Sequence, residues 1–376
     1  MAFFAISDEV LLVLYSCLAF FALVQVFYYL FYFLTLKNYS SKEFVDDSSK
    51  PLTIVICSKN NIDFLKKNLD KVLEQDYPDF EVVVVNDGSW DGTKMFLDHK
   101  VMDHSNLRTV HLDKDRNHTV GKKFALTMGI KAAKNNLLLL MDADCAPVSK
   151  DWIKSMTSQF VEGKDIVLGF SPYKRYFGLL NLFIRYETLY VGMHYLSFAM
   201  KGKPYMGVGR NLAYKKSLFL ENKGFAKHIN VAAGDDDLFV QAVANKKNTA
   251  ICIDPDSFTL SDPHRKIGDW WNQKKRHLSV GTEYKSSTKA ILGFYNVSFI
   301  LFYLLLLATF LLSVKLEWIL LIYGVRTLIL WVVSVLCFTK LKDTFMGIVF
   351  PILDVLYFLY YIILGPVSMF KNKSTW

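Results

Sequence analysis

The tripeptide Asp142-Ala143-Asp144 is the part of this sequence that is best suited to chemistry. It follows five apolar residues, 137–141, and an apolar run of this length that ends at a turn predicts a buried strand. Two carboxylates at the end of such a strand must face water, a metal or a ligand, because a buried charge without a partner is too costly. Mg²⁺ prefers few carboxylates together with substrate phosphates. The spacing therefore predicts a metal-nucleotide site, with an ordinary solvated turn as the alternative.

The flanking sequence predicts the elements that must position these carboxylates. Strands are predicted at residues 51–57, 80–85, 107–112 and 137–141, and helices at 63–74, 93–100 and 121–133. This alternation is typical of a parallel sheet that is covered by helices on both faces. Ligands bind such sheets beyond the carboxyl ends of the strands, where the polar loops 58–61, 87–89 and 142–144 lie. The agreement of three loops indicates a ligand site more strongly than one loop does.

Four motifs in this region resemble those of the family 2 glycosyltransferases. They are residues 51–56, Val85-Asn86-Asp87-Gly88-Ser89 with Asp91-Gly92-Thr93, Gly121-Lys122-Lys123, and Met141-Asp142-Ala143-Asp144. The resemblance extends over about residues 52–281. It implies an α/β protein of the GT-A fold, a nucleotide-diphospho-sugar transferase with a Rossmann-like mixed sheet. It also implies transfer of a sugar from a nucleotide diphosphate, with inversion at the anomeric carbon.

The same resemblance implies roles for the carboxylates. Asp87 is expected to contact the nucleotide base, Asp142 the ribose and diphosphate region, and Asp144 a Mg²⁺ or Mn²⁺ ion. Ser58, in the first polar loop, is added to the predicted nucleotide-sugar site. Charge develops on the diphosphate as it leaves, and a metal and cationic side chains stabilise that charge. Lys122 is predicted to assist, with the neighbouring Lys123 or a merely solvated lysine as the alternatives.

Three adjacent carboxylates, Asp235, Asp236 and Asp237, precede an apolar segment that predicts a helix. Acidic residues are favoured at helix N-termini by the helix dipole, so capping explains one or two of them. The family carries an acidic pair here, whose Asp is the general base that removes the proton of the acceptor hydroxyl. A Gly-Asp-Asp alignment favours Asp236, whereas an Asp-Leu alignment favours Asp235. We predict Asp236 as the base, Asp235 as the alternative, and Asp237 as the helix cap.

A further motif lies near the end of the polar middle of the chain. Membrane-bound members of the family carry Gln or Arg, two residues, and then Arg-Trp; here Gln273 and Arg276 match and His277 replaces the Trp. By this match, Gln273 and Arg276 are predicted to belong to the nucleotide-sugar site. We predict that Arg276 clamps the diphosphate, since Arg binds phosphate bidentately. The missing Trp argues against a chain-extending channel. A basic amphipathic helix on the membrane, with Trp270 and Trp271 at the interface, is an alternative that is compatible with this role.

Two other segments have open interpretations. The glycine-rich residues 207–214 resemble a family segment on the acceptor side, and a plain tight turn is the alternative. The aromatic residues 176–200 are moderately apolar but contain Arg185, Glu187 and His194. They are too polar for a membrane span and predict a helix at the membrane interface.

The composition indicates a membrane protein. Of 376 residues, 52% are hydrophobic, which is more than an ordinary soluble domain contains. Residues 10–36 are uncharged and exceed the roughly 20 residues that span a bilayer. Further candidate spans are 291–314, 318–338 and 345–369. We predict a transmembrane anchor at 1–36, a linker at 37–50, a GT-A domain at 51–289, two or three transmembrane helices at 290–370, and a tail at 371–376.

Charged residues give the expected topology and partners. Lys37 and Lys42 follow the first span while Asp8 and Glu9 precede it, so the positive-inside rule predicts a cytoplasmic catalytic domain in a bacterial-type inner or plasma membrane. The net charge of +9 is spread along the chain, and an anionic membrane or a phosphorylated substrate explains it as well as nucleic acid does. We predict no nucleic-acid partner.

Two ionisable residues fall inside predicted spans. Arg326 and Asp354 are functional candidates by their position, and pairing with each other is the alternative.

The sequence therefore predicts an inverting glycosyltransferase that uses a UDP-sugar and a membrane-associated lipid, lipid-linked or saccharide acceptor. A processive polysaccharide synthase, a non-catalytic membrane scaffold of the same fold and a membrane nucleotidyltransferase are the alternatives. Intact Asp87, Asp142, Asp144 and Asp236 argue against a scaffold, which does not need them.

Overall fold

The computed structural model describes residues 7–40, 50–113, 121–231, 233–312 and 315–368, with side chains as far as residue 363. Most of the predicted linker at 37–50 and the predicted tail at 371–376 lie outside the described residues. The chain divides into two compact units. One contains the first helix and the last four helices, and the other contains all of the strands.

The elements follow one another in an alternating order from residue 52 to residue 142. The strands are β1 (Leu52–Ser58), β2 (Phe80–Asp87), β3 (Leu107–Leu112), β4 (Leu137–Asp142), β5 (Cys145–Pro147), β6 (Ile166–Leu168), β7 (Leu212–Lys215), β8 (Thr249–Ile251) and β9 (Thr259–Ser261). The helices are α1 (Asp8–Phe31), α2 (Ile62–Leu73), α3 (Thr93–Asp103), α4 (Lys122–Ala132), α5 (Trp152–Thr157), α6 (Leu179–Met200), α7 (Lys216–Glu221), α8 (Asp237–Val243), α9 (Ile267–Val280), α10 (Ser286–Leu312), α11 (Leu316–Lys340), α12 (Thr344–Ile348) and α13 (Phe350–Ser368).

A seven-stranded mixed sheet forms the centre of the strand-containing unit. Its order is β3-β2-β1-β4-β7-β6-β8. The first four of these strands are parallel, as the sequence predicts, and β7 pairs antiparallel with both β4 and β6. The predicted α/β fold with a mixed sheet is confirmed. In the register, Ser58 lies opposite Asn86, and Cys57 lies opposite Asp142, so the carboxyl ends of β1, β2 and β4 meet at one edge.

Apolar strands and a close helix hold this edge together. Every residue of β1 is buried, as are the five apolar residues of β4. Strands buried on both faces read as continuous apolar runs, which is why they are recognisable in the sequence. Gly129 lets α4 pack closely on the sheet, because a Cβ atom there would lie 2.7 Å from the side chains of Val55 and Val85.

The other unit consists of apolar helices. Helices α10 and α11 and the N-terminal helix are long and apolar enough to cross a membrane, with mean hydropathies of 2.2, 2.3 and 2.5. The predicted fourth span is divided into α12 and α13, with a shorter apolar stretch at Phe350–Ile363. Pro351 lies at the start of α13, where its missing N–H costs no helical hydrogen bond.

A buried polar cluster joins four helices of this unit. The Arg326 guanidinium lies 2.6 Å from the Asp354 carboxylate, which also accepts the Tyr303 hydroxyl at 2.7 Å. Gln25 accepts the Arg326 Nε–H at 3.1 Å. Of the two interpretations of Arg326 and Asp354, their mutual pairing is confirmed. Such pairing is needed because an unpaired charge inside a bilayer is costly.

Helix α6 (Leu179–Met200) confirms that residues 176–200 are largely helical. Of its 22 residues, 13 are buried, including Tyr186, Glu187 and Tyr190. An apolar helix with a few polar residues has the same composition at a membrane surface and in a protein core. The predicted position of this helix at a membrane interface therefore stays a prediction.

Candidate active site

The carboxyl end of β2 carries Asp87, predicted to contact the nucleotide base. Its carboxylate lies 3.3 Å from Lys59 Nζ and is half-buried. Ser58, which is predicted for the same nucleotide-sugar site, has a different environment. Ser58 is the last residue of β1 rather than the start of a polar loop, and its hydroxyl is buried without a hydrogen-bond partner among the described residues. Its contact with the nucleotide-sugar stays a prediction.

Asp91 orders the loop that follows β2. Its carboxylate accepts the backbone N–H of Ile62 at 2.9 Å and the hydroxyl of Thr93 at 2.6 Å. Burial raises the pKa of Asp91, but these hydrogen bonds outweigh it and hold the pKa below its ordinary value. The intervening Gly92 has a φ of +87°, which favours glycine. The Asp-Gly-Thr motif is thus explained by loop structure.

Lys122, the first residue of α4, joins two carboxylates that lie far apart in the sequence. Its Nζ lies 2.7 Å from Asp142 at the end of β4 and 3.1 Å from Asp235 just before α8. Burial lowers the pKa of Lys122, but the nearby carboxylates raise it well above its ordinary value. Burial likewise raises the pKa of Asp142, and Lys122 more than reverses this, so the net direction is down. These two directions both favour the charged forms of Lys122 and Asp142.

Asp236 lies beside this bridge. It accepts the backbone N–H of Gly209 at 2.8 Å and that of Asp237 at 2.9 Å, and it is the N-cap of α8. The prediction that Asp237 caps the helix was wrong, because Asp237 is already the first helical residue. Burial and the Asp235 carboxylate raise the pKa of Asp236 to about 6, against a lowering by Lys122. A carboxylate with such a pKa suits a general base at neutral pH.

Gly209 lies close to the side chains of Lys122, Asp235 and Asp236. A Cβ atom at Gly209 would lie 3.4 Å from the Asp236 carboxylate, 3.6 Å from that of Asp235 and 3.6 Å from Lys122 Nζ. The segment before β7 therefore closes around the three side chains, as expected if residues 207–214 line the acceptor side. The function of that segment stays a prediction.

Asp144, the predicted metal ligand, has a different environment from Asp142. Its carboxylate accepts the Cys145 thiol at 3.2 Å and forms no ion pair in the described part of the chain. Burial and the Asp142 carboxylate raise the pKa of Asp144. No group of three or more His, Cys, Asp or Glu side chains that could hold a metal occurs among the described residues. This donor set fits Mg²⁺ or Mn²⁺ shared with substrate phosphates, since such ions take only one or two carboxylates.

Arg210 is a charged residue of this site to which the sequence assigned no role. Its guanidinium donates to Ser261 Oγ at 3.0 Å and lies 4.5 Å from the centre of the Tyr173 ring. Burial lowers its pKa, and Asp144 is among the groups that raise it, with a net rise. An arginine beside Asp144 adds a fixed positive charge for a phosphate. In the sequence, the polar pair Arg210-Asn211 between glycine-rich and apolar residues was the pattern that could have indicated Arg210 as a site residue.

Arg276 and Gln273 lie on α9. The charge of Arg276 contributes to the low pKa of Asp142, so it reaches the acid cluster. Gln273 is half-buried, and no side-chain hydrogen bond of Gln273 occurs among the described residues. The helix is held by a salt bridge of 2.5 Å between Lys274 and Glu187 of α6, with side chains 12% and 6% exposed.

Trp270 faces inward from the same helix. It is buried and packs edge-to-face on Phe183 at 5.7 Å. The prediction that Trp270 lies at a membrane interface was therefore wrong, because the inward face of α9 belongs to the protein core.

The ammonium group of Lys123 binds backbone carbonyls. Its Nζ donates to the backbone carbonyls of His228 at 2.6 Å and Val231 at 2.8 Å. Lys123 thus holds the segment before the three aspartates, whereas Lys122 forms salt bridges with Asp142 and Asp235.

Comparisons with known proteins concern the family and the fold of this chain. A family model described as "Glycosyl transferase family 2" matches residues 53–221. The poly-beta-1,6-N-acetyl-D-glucosamine synthase of Staphylococcus aureus is 31% identical over 117 residues, which are 30% of this chain and 27% of that protein. Glycosyltransferase GlyA of Streptococcus pneumoniae is 26% identical over 176 residues, which are 42% of this chain and 23% of that protein. The chain thus matches about a quarter of the length of these relatives.

A solved structure extends the agreement in fold. A mannosyltransferase, PcManGT from Pyrobaculum calidifontis in complex with GDP-Man and Mn²⁺, superposes with a TM-score of 0.51 at 19% sequence identity. The alignment covers 91% of this chain and 99% of that one. At this identity the likeness concerns the fold.

Proposed function

Because residues 53–221 belong to the glycosyl transferases of family 2, we propose that this chain is an inverting enzyme that moves a sugar from a nucleotide-sugar to a membrane-associated lipid or saccharide. One observation carries the proposal. Lys122 links Asp142 of β4 to Asp235, and Asp236 lies beside them. A donor-side carboxylate and a candidate base thus share one cluster, which transfer between two bound substrates requires.

The donor side is the edge where β1, β2 and β4 end. Asp87 would contact the base, and Asp142 the ribose and diphosphate region of the nucleotide. We expect UDP as the nucleotide. Lys122, Arg210 and Arg276 carry positive charge towards this edge, and positive charge stabilises a leaving diphosphate.

Asp144 would hold a Mg²⁺ or Mn²⁺ ion together with oxygens of the diphosphate. The ion would supply additional stabilisation of the charge that develops on the leaving group. The lack of an ion pair on Asp144 among the described residues, beside an Asp142 already paired with Lys122, supports this division of roles.

Asp236 would accept the proton of the acceptor hydroxyl. The oxygen of that hydroxyl forms the new bond to the anomeric carbon at the same time. The bond from that carbon to the diphosphate breaks on the opposite face, and the nucleotide leaves as a diphosphate. A raised pKa supports Asp236 in this role. Asp235 is held against Lys122 and is better placed to keep that lysine charged.

The experiment is UDP binding by the detergent-solubilised chain, with and without Mn²⁺ or Mg²⁺. Asp144→Asn should lose the metal-dependent part of binding. Asp79→Asn is a matched control, because Asp79 is exposed at the opposite end of β2. Unchanged metal-dependent binding in Asp144→Asn would remove it as the metal ligand.

If the unsubstituted chain does not bind UDP with either metal, two interpretations of its function remain. Binding of another nucleotide, such as GDP, would keep the transferase and correct the donor. Binding of no nucleoside diphosphate would favour a non-catalytic scaffold.

A further inference from the structure

We propose that the segments 175–179 and 265–267 form a docking surface for an anionic lipid bilayer. Its apolar members are Phe177, Leu179 and Ile267, and its cationic members are Arg175, Arg265 and Lys266. This surface is distinct from the residues assigned to catalysis.

The apolar members are exposed to a degree that the fold does not explain. Phe177 is 108% exposed, Leu179 is 86% exposed and Ile267 is 68% exposed. Each is large, and none contributes to the buried core. Single exposed apolar residues are ordinary, but a group of them on adjoining segments marks an interaction site.

Contacts bring the two segments together. The Tyr176 hydroxyl donates to Asp262 at 2.9 Å, and the Arg265 guanidinium lies 3.6 Å from the centre of the Tyr176 ring. Lys67 and Lys174 also pair with Asp262, at 2.9 and 2.8 Å. Phe177 follows Tyr176 in the sequence, and Ile267 lies two residues after Arg265. The contacts of Tyr176 therefore hold the two segments that carry these apolar side chains together.

The charges of this surface select its partner. Arg175, Arg265 and Lys266 are exposed among the apolar side chains, and Asp262 below them is already neutralised by two lysines. Asp269 is the nearby exposed acid on α9. Exposed aromatic and aliphatic side chains flanked by Lys and Arg match a bilayer with anionic headgroups, where apolar groups enter the acyl boundary and cations meet the phosphates.

The apolar helices of the chain also favour a bilayer as the partner. Three of its helices are long and apolar enough to cross a membrane. A second copy of the chain would instead have to present acidic groups to the same cations, and it is treated below as an outcome that contradicts the proposal.

The test uses the full chain in liposomes. Phe177→Cys carries an environment-sensitive fluorophore, and the lipid carries a nitroxide near the headgroup. Met102→Cys is the matched control, because Met102 is 80% exposed on α3, a helix that contributes no residue to the proposed surface. The unsubstituted chain is treated in parallel, since Cys57, Cys145, Cys252 and Cys337 are buried and Cys17 is half-buried.

We expect lipid quenching at position 177 to exceed that at position 102 by at least about twofold in phosphatidylglycerol vesicles. Phosphatidylcholine vesicles, or Lys266→Glu in the same background, should reduce the difference. Equal quenching at both positions would overturn the proposal. Energy transfer between labelled copies without lipid quenching would overturn it in favour of self-association. Equal quenching in both lipids would overturn the anionic selectivity.

Discussion

Lys122 and Asp142 form a salt bridge of 2.7 Å between the start of α4 and the end of β4. This contact follows from the packing of α4, whose Gly129 lies directly on β1 and β2. The same lysine reaches Asp235 at 3.1 Å. One cation therefore couples the proposed donor and acceptor sides, and its removal should affect both.

Lys122→Met should lower kcat by about 10²–10³, because it removes a positive charge from the leaving diphosphate and removes the salt-bridge partner of Asp142 and Asp235. The substitution keeps a long side chain, so the fold should persist. Lys131→Met in the last turn of α4 is the matched control, since Lys131 is exposed. Sugar transfer and thermal unfolding are measured together, and normal turnover in Lys122→Met would contradict the role.

Asp236→Asn should lower kcat by about 10²–10⁴ while nucleotide binding persists, because a general base acts on the acceptor and not on the donor. Asparagine remains a good N-cap, so α8 should still form. Asp235→Asn should mainly disturb Lys122. If Asp235→Asn abolishes transfer and Asp236→Asn does not, the base is Asp235. Transfer kinetics and UDP binding on both variants decide between them.

The pH dependence of kcat/KM should have an acidic limb with an apparent pKa of about 6, the value to which burial and Asp235 raise Asp236. Below this pH the carboxyl is protonated and cannot accept a proton, so the rate falls as pH falls. Lys122 lowers the pKa of Asp236, so the residual activity of Lys122→Met should show the limb at higher pH. A limb at the same pH in both proteins would argue against Asp236 as the titrating group.

Much of the donor edge was predictable from the sequence. The strands ending at Ser58, Asp87 and Asp142 are apolar runs buried on both faces, and such runs end visibly at polar residues. The parallel pairing then brings their ends together. Local sequence is enough for this part of the site because each loop follows its own strand.

The rest of the site depends on contacts between distant segments. The pairing of Lys122 with Asp235 and the position of Arg210 near Asp144 arise from the packing of helices and loops, which no local pattern encodes. The capping error at Asp237 is a shift of one residue, and helix ends are uncertain by that amount. Trp270 was misplaced because core and interfacial helices share a composition.

Glu187→Gln should destabilise the protein by about 3–5 kcal/mol, because it leaves Lys274 buried without its partner. The double variant Glu187→Gln with Lys274→Met should recover much of this loss. Asp76→Asn is the matched control, since its salt bridge with Lys154 lies on the surface and should matter little. The stability of all these variants is measured by thermal unfolding in detergent. Additive losses of stability in the double variant would contradict a coupled buried pair.

Proteolysis of sealed inside-out bacterial membrane vesicles should cleave the chain between residues 50 and 283, because the cations Lys37 and Lys42 follow the first span and the anions Asp8 and Glu9 precede it. Sealed vesicles of the opposite orientation should protect this region, and detergent should abolish the protection. Protection in inside-out vesicles would overturn the cytoplasmic assignment. It would also require a nucleotide-sugar donor outside the cytoplasm, so the same fractions should be assayed for sugar transfer.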